Sequence, residues 1–296
     1  MPISGKTVKS KLKILPAAPL AKIPWLTHGF STRTGGVSIA YGGNALNLGF
    51  TKEDSRTTVV RNRKLLLESL GAADKRGNPW PIVALRQIHS DIIHHVSRPP
   101  EHTLTGDGLV TSTPGLLLAV QTADCLPIIL VDKKKHAVGV FHAGWRGTFG
   151  RIVEKGVGEM RRWFGTKPSD IVAAIGPGVH SCCYEVGEDF RGKFESQFSY
   201  ADELFREEKS SDAVHEKYPL LFLTARAPGH SELPSKLFLD LVEANRHQLL
   251  SVGVPKKNIE ALEMCTACRT DLLFSYRAEK GKTGRLMGAV GIRKQA

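Results

Sequence analysis

Long apolar runs are missing from this chain. No stretch approaches the ~18–20 consecutive apolar residues that a membrane-spanning helix needs. The basic opening, MPISGKTVKSKLKILPAAPLAKIPW, has no continuous block of the roughly 7–15 apolar residues that mark a secretory leader. A cytoplasmic protein without a membrane partner is the expectation. Cysteine is scarce: five residues, Cys125, Cys182, Cys183, Cys265 and Cys268, in a chain of 296. An odd, small number argues against a disulfide framework and suits a reducing compartment. The one C-x-x-C, at Cys265 and Cys268, has no second C-x-x-C to complete a four-thiolate zinc pattern, and it reads as structural. Internal repeats, low-complexity tracts and a convincing linker are also lacking.

A concentrated basic face is missing too, although the formal charge is +12. Lysine and arginine are scattered along the whole chain, with short groups at residues 133–135, 161–162 and 256–257. Nucleic-acid binding draws on clustered cations, so a solvated basic surface is expected, with no nucleic-acid partner. Apolar residues make up 41% and charged residues 24% of the chain, which is enough apolar material for a sizeable core.

What is present is a series of strand-like runs and a few amphipathic helices. "IPWLTHGFSTRTGGVS" reads as a short strand, a polar segment and a Gly-Gly turn. "SRTTVVRNRKLLLESLGA" predicts a helix, with Val59, Leu66, Leu67 and Leu70 on one face and a stop at Gly71. "PIVALRQIHSDIIHHVS" is read as two strands around a polar interruption. "GDGLVTSTPGLLLAVQTADCLPIILVD" gives three more short runs. A helix is expected over "TFGRIVEKGVGEMRRWF", with Val153, Val157, Met160 and Phe164 along one face, and another over "SKLFLDLVEANRHQLLSVGV". "DIVAAIGPGV" is a buried strand with its turn. Residues 195–234 are polar and mixed, as in a surface helix plus an inserted loop. These readings sum to one compact mixed α/β domain.

Three strand ends carry reactive side chains: His89 in "RQIHSD", Cys125 in "TADCLP" and His142 in "FHAGWRG". Catalytic zinc takes three nitrogen or sulfur ligands and keeps a fourth position open. Two histidines and a thiolate on rigid strands suit that arrangement. A buried inert cysteine beside unrelated histidines is the competing reading. So is a Cys125 thiolate activated by His142. Asp91, Asp107 and Asp124 lie close by, either as turn formers or as carboxylates that fix the tautomer of a ligating histidine. "HAGWRGT" sits between a strand and a helix. Its amides and Arg146 could face an anion, or it is a glycine-rich turn with Thr148 as cap.

In order along the chain, "HGFSTRTGGVS", "NLG", "RQIHS", "GDGLVT", "TADCLPI", "HAGWRGT", "IGPGVHSCCYEVG" and "CT…FSYR" resemble the laccase-domain family, also called YfiH-like. Its members have been described as polyphenol oxidases, as peptidoglycan editing factors, and as purine nucleoside phosphorylases with adenosine deaminase activity. The resemblance spans roughly residues 25 to 292. It implies an α/β (α+β) fold in α/β/β/α layers with mixed sheets. Residues 1–24 would be a basic lead-in, and 25–296 the catalytic domain with an insertion around 200–234. The family's zinc ligands fall on His89, Cys125 and His142, which are also the implied catalytic residues, with copper as the competing metal. Arg33 and Arg146 are implied anion contacts, and Cys183 and Glu185 are placed near the same substrate pocket.

The implied function is a zinc enzyme acting on purine nucleosides and phosphate. Adenosine and inosine would be phosphorolysed, with methylthioadenosine as a further substrate, and adenosine also deaminated. Two rivals stand beside it. One is a cysteine hydrolase editing a peptidoglycan precursor with Cys125 and His142. The other is a copper polyphenol oxidase. The oxidase is disfavoured by the histidines themselves: of eleven, no two stand two residues apart, whereas a copper cluster is normally bridged by His-x-His pairs.

Overall fold

The helix read from residues 55 onward is built from local chemistry. A short helix, α1 (Ala18–Ala21), precedes it; Ser55 is extended, and its hydroxyl accepts the Thr58 amide at 3.1 Å, so α2 (Arg56–Leu70) starts with its first turn satisfied. Gly71 closes it in the left-handed region (φ 60°), after Leu70. The computed structural model describes residues 12–209 and 235–294. These divide into two units: one runs to Val179 and resumes at Leu241, the other spans His180–Asp240.

Two mixed sheets form the larger unit. The first runs in the order β1 (Ile14–Leu15), β2 (Leu26–Ser31), β15 (Leu286–Ile292), β7 (Leu117–Thr122) and β4 (Ile82–Ala84), with β4 parallel to β7 and the rest antiparallel. The second follows β14 (Ile259–Ala261), β10 (Ile171–Ile175), β8 (Leu126–Asp132), β9 (Ala137–Ala143), β6 (Gly108–Thr111) and β5 (Ile93–His95). Its edge pairs β10–β14 and β5–β6 are parallel. A shorter strand, β3 (Thr34–Ser38), follows β2.

The period of two along β7 decides the layering. Leu118 and Val120 point into a core shared with Ile129, Val131, Val138 and Val140 of the second sheet. Leu117 and Ala119 point the other way and meet Leu66, Leu67 and Leu70 of α2 (Arg56–Leu70). β7 is therefore buried on both faces, which is why it reads as an unbroken apolar run. Beyond the second sheet lies α4 (Ile152–Phe164), whose Gly156 packs against the Phe141 ring of β9. The resulting order, helix, sheet, sheet, helix, is the layered α/β arrangement expected.

Three local readings are corrected. The helix expected over residues 148–164 is two: α3 (Trp145–Phe149) and α4, separated by Arg151 in the left-handed region (φ 61°). The Gly35–Gly36 pair lies inside β3 rather than in a turn. "SKLFLDLVEANRHQLLSVGV" is a strand, Ser235–Leu239, followed by a helix, Leu241–Ser251. The strand forms because its backbone is paired on both sides, and pairing outweighs helical periodicity. The lysine run 133–135 is the β8–β9 hairpin turn, where Asp132 Oδ1 accepts the Lys134 and Lys135 amides.

The smaller unit holds an antiparallel sheet of β11 (Glu185–Val186), β13 (Ser235–Leu239) and β12 (Phe205–Lys209), plus α5 (Asp189–Glu195). Of the lead-in expected at 1–24, residues 1–11 lie outside the described residues, as do 210–234 of the expected insertion. The helix Leu241–Ser251, α6, belongs to the larger unit. There Asn245 Nδ2 donates to Thr148 Oγ1 at 2.9 Å and Gln248 Nε2 donates to the Thr148 carbonyl at 2.7 Å. Among the described residues, no helix is long and apolar enough to cross a membrane.

Candidate metal centre

β7 and β8 are consecutive in the chain but belong to different sheets, so the chain must turn sharply between them. Cys125 occupies that turn, with Asp124 before it at φ 95°, a conformation that costs a non-glycine residue. The Asp124 carboxylate holds the turn by accepting from Thr266 Oγ1, Ser275 Oγ and the Arg277 amide, each at 2.7 Å. Its carbonyl accepts the Val179 amide, also at 2.7 Å.

His142 is the penultimate residue of β9, opposite Pro127 of β8. That register brings it beside the residue before β8, which is Cys125. His89 lies in the loop between β4 and β5 at φ 58°. The ligating atoms of His89, Cys125 and His142 all lie within 4.8 Å of one another, and the two imidazoles meet edge to face with centroids 4.9 Å apart. His142 is buried, Cys125 is half-buried and His89 is exposed, so the cluster opens outward past His89.

Asp107, the residue before β6, organises this cluster. Fully buried, it accepts His142 Nδ1–H at 2.8 Å and the His89 amide at 3.1 Å on one oxygen. Its other oxygen accepts the Ile88 amide at 3.2 Å, the Ser90 amide at 2.6 Å and the Ser90 hydroxyl at 2.7 Å. One carboxylate thus fixes the tautomer of one histidine and the backbone of the other, leaving His142 Nε2 with its lone pair toward Cys125.

The charges follow. Burial pushes the Asp107 carboxyl up, but His142 and Ser90 outweigh it and hold it at about 2. Burial likewise raises the Cys125 thiol, yet His142 and His89 bring it down to about 6. Burial lowers His142, while the Cys125 thiolate and Asp107 raise it to about 9. Without a metal, the geometry favours a thiolate beside an imidazolium. Two imidazole nitrogens and a low-pKa sulfur are the donor set of a three-ligand zinc site. Gly144 sits over it: a Cβ there would fall 2.7 Å from Cys125 Sγ and 3.2 Å from His89 Cδ2.

Of the three aspartates singled out in the sequence, Asp107 reaches a histidine, Asp124 braces the cysteine turn, and Asp91 pairs with Lys155 of α4. Arg146 lies in α3, exposed, with its guanidinium 4.7 Å from the centre of the Trp145 ring. Gly144 rather than Thr148 is the N-cap of that helix, and Thr148 is buried inside it. Arg33 is engaged. It donates to Glu279 at 3.0 Å and to the carbonyls of Thr270 (2.6 Å) and Tyr41 (3.1 Å), and lies over the Phe274 ring. An anion would have to displace Glu279 to use it. Cys183 and Glu185 lie in the smaller unit, where the Cys183 amide donates to the His180 carbonyl and Glu185 faces Lys236 at 3.7 Å.

Sequence reasoning missed Ser90 and Gly144. Ser90 was visible as the polar residue directly after His89. Gly144 was visible only as one glycine in a glycine-rich turn.

A family profile described as "Multi-copper polyphenol oxidoreductase laccase" matches residues 27–293. The purine nucleoside phosphorylase YlmD of Geobacillus stearothermophilus is 34% identical over 92% of this chain and 95% of its own length. A purine nucleoside phosphorylase of Deinococcus radiodurans is 36% identical, covering 94% of each chain. Among solved structures, YlmD from Geobacillus stearothermophilus superposes with a TM-score of 0.73 at 33% identity, covering 92% of this chain and 93% of that one. The Bacillus licheniformis protein YfiH gives 0.74 at 32%, covering 90% and 93%.

Proposed function

We propose that this chain, which belongs to the laccase family of multi-copper polyphenol oxidoreductases, is a zinc-dependent purine nucleoside phosphorylase that also deaminates adenosine. The observation that carries the reading is the His89–Cys125–His142 cluster with Asp107 behind it, in a chain whose relatives bear the phosphorylase name along nearly their whole length. Enzyme status rests on the same relatives.

Zinc, when bound, supplies Lewis acidity for activating water or polarising a substrate oxygen. His89, Cys125 and His142 would hold it. Asp107 keeps the proton on His142 Nδ1 so that Nε2 remains a donor to the metal. Gly144 leaves room above the cluster for a substrate that a side chain would exclude. In phosphorolysis a phosphate oxygen bonds to the ribose C1′ while the C1′–N9 bond breaks. The base leaves with the electron pair and takes up a proton. Arg146, exposed beside the cluster in α3, is the cation proposed to receive phosphate. In deamination, water adds at C6 of adenine and ammonia departs.

The test is a phosphate-dependence assay on protein of measured zinc content. Adenosine and inosine are supplied with and without phosphate, and the products are separated. Free base and ribose 1-phosphate forming only with phosphate establish the phosphorylase. Inosine from adenosine without phosphate establishes the deaminase. His89→Ala, Cys125→Ala and His142→Ala should each lose metal and both activities while keeping the fold. No turnover from zinc-replete protein refutes the reading.

One rival has an observation in its favour. A thiolate at about 6 beside an imidazolium at about 9 is the pair a cysteine hydrolase would use. Metal occupancy separates the two, because a thiolate bound to zinc is a poor nucleophile. Retained zinc with lost activity in Cys125→Ala favours the hydrolase. Copper competes for the same donors. Phenol oxidation that tracks copper content would support the oxidase.

A further inference from the structure

At the far end of the first sheet lies a cavity of about 600 Å³ that the metal centre does not use. Ligand pockets are typically about 300–1,000 Å³. Four cations line this one: Lys75 and Arg76 from the loop after α2, and Arg293 and Lys294 from the end of β15. Register sets its distance from the cluster. Leu286 pairs with Thr122, next to the Cys125 turn, whereas Gly291 pairs with Leu117 at the other end. At ~3.4 Å per residue, the length of β15 separates the two by about 20 Å.

The loop and one of the cations are anchored, and all four cationic side chains are exposed. The 74–78 loop is clasped by Asp74, whose carboxylate accepts the Arg76 amide at 2.8 Å and the Asn78 amide and Nδ2, both at 2.9 Å. Arg293 is anchored through Nε to Thr27 Oγ1 at 2.9 Å, which leaves its terminal nitrogens clear of that bond. Among the described residues, none of the four cations has a carboxylate within ion-pair distance. Asp74 is the lone acid of the lining; its oxygens accept from its own loop, and Lys294 lies near enough to stabilise its negative charge. The lining also includes Trp80, only 6% exposed, whose indole Nε1–H has no acceptor among the described residues.

We propose that this cavity is a second binding site, for a small molecule bearing a diphosphate or triphosphate. Four cations against one carboxylate leave three positive charges, which offset most or all of the negative charge of such a group near neutral pH. Arginine and lysine together supply forked and point-charge contacts to phosphate oxygens. The concave shape and the carboxylate within it favour a compact ligand over an extended nucleic-acid backbone, which would follow a continuous basic track. The site does not depend on the chemistry of the metal centre.

Calorimetric titration of the full-length, zinc-loaded protein with inorganic triphosphate tests this. Orthophosphate and pyrophosphate form parallel arms, and every variant is first checked for a native circular-dichroism spectrum. Saturable triphosphate binding is expected, at least tenfold tighter than orthophosphate. It should weaken at least tenfold in the Arg76→Ala, Lys294→Ala double variant, recover in Arg76→Lys, Lys294→Arg, and stay within twofold in Arg146→Ala and in Cys125→Ser. Nucleoside turnover should be unchanged in the double variant. Absence of saturable binding overturns the proposal. So does equal affinity for orthophosphate, and so does loss of binding in Arg146→Ala with retention in the double variant, since the anion would then sit at the metal centre.

Discussion

Replacing Asp107 by asparagine keeps the size of the side chain and removes one acceptor oxygen. Five donors converge on the carboxylate, two on one oxygen and three on the other. The new amide must turn its Nδ2 toward one set. Facing Ile88 and Ser90, it leaves two partly buried amides without an acceptor, at ~1 kcal/mol each, or roughly 2 kcal/mol of stability. Facing His142 instead, it donates to Nδ1 and drives the ring to its Nε2–H tautomer, which removes the lone pair a metal needs. Either way the metal site suffers, and loss of such a supporting carboxylate typically costs 10–100-fold in metal affinity. At ~1.4 kcal/mol per decade that is about 1.4–2.8 kcal/mol. Competition against a chromophoric chelator measures the zinc Kd, and denaturant unfolding of metal-stripped protein measures stability. Asp91→Asn is the control, because Asp91 pairs with Lys155 rather than a histidine. Wild-type zinc affinity in Asp107→Asn, or an equal loss in Asp91→Asn, would refute the reasoning.

Other consequences can be checked with the same protein. In metal-free protein, alkylation of Cys125 should follow a titration near pH 6. The rate is full above that pH and falls as the thiolate protonates below it, and stoichiometric zinc should block it; an alkylation pKa near that of free cysteine contradicts the His142–Cys125 coupling. Gly144→Ala should lower nucleoside turnover at least tenfold without unfolding the protein, since its Cβ would crowd Cys125 Sγ and His89 Cδ2; unchanged kcat/KM means that the space above the cluster is not used. Gly156→Ala would place a Cβ 2.5 Å from the Phe141 ring, which Gly108 and Gly139 already confine. Overpacking of roughly 1–3 kcal/mol should exceed the gain of up to about 1 kcal/mol in helix propensity, so its melting temperature should fall.

Some of this was readable from residue order because the physics is local. Ser55 and Gly71 bracket α2, since a cap hydroxyl and a left-handed glycine act within one turn. Strands β7, β8 and β9 were legible as apolar runs because each is buried on both faces. The break at Arg151 was not legible, since the apolar spacing of 148–164 continues across it. Ser235–Leu239 was misread because its apolar residues run into those of α6, and only the neighbouring strands claim that backbone.

The cluster divides along the same line. Residue order alone marks the groups able to bind a metal, His89, Cys125 and His142, each at the end of a strand or in the loop beside one. Long-range packing selects Asp107, and neither Asp91 nor Asp124, to orient a histidine, engages Arg33 with Glu279, and brings Lys75 and Lys294 to one cavity. Residue type and strand period are written along one dimension. Which side chain faces which across two sheets depends on register and sheet order, and those are fixed only when the long-range pairs form.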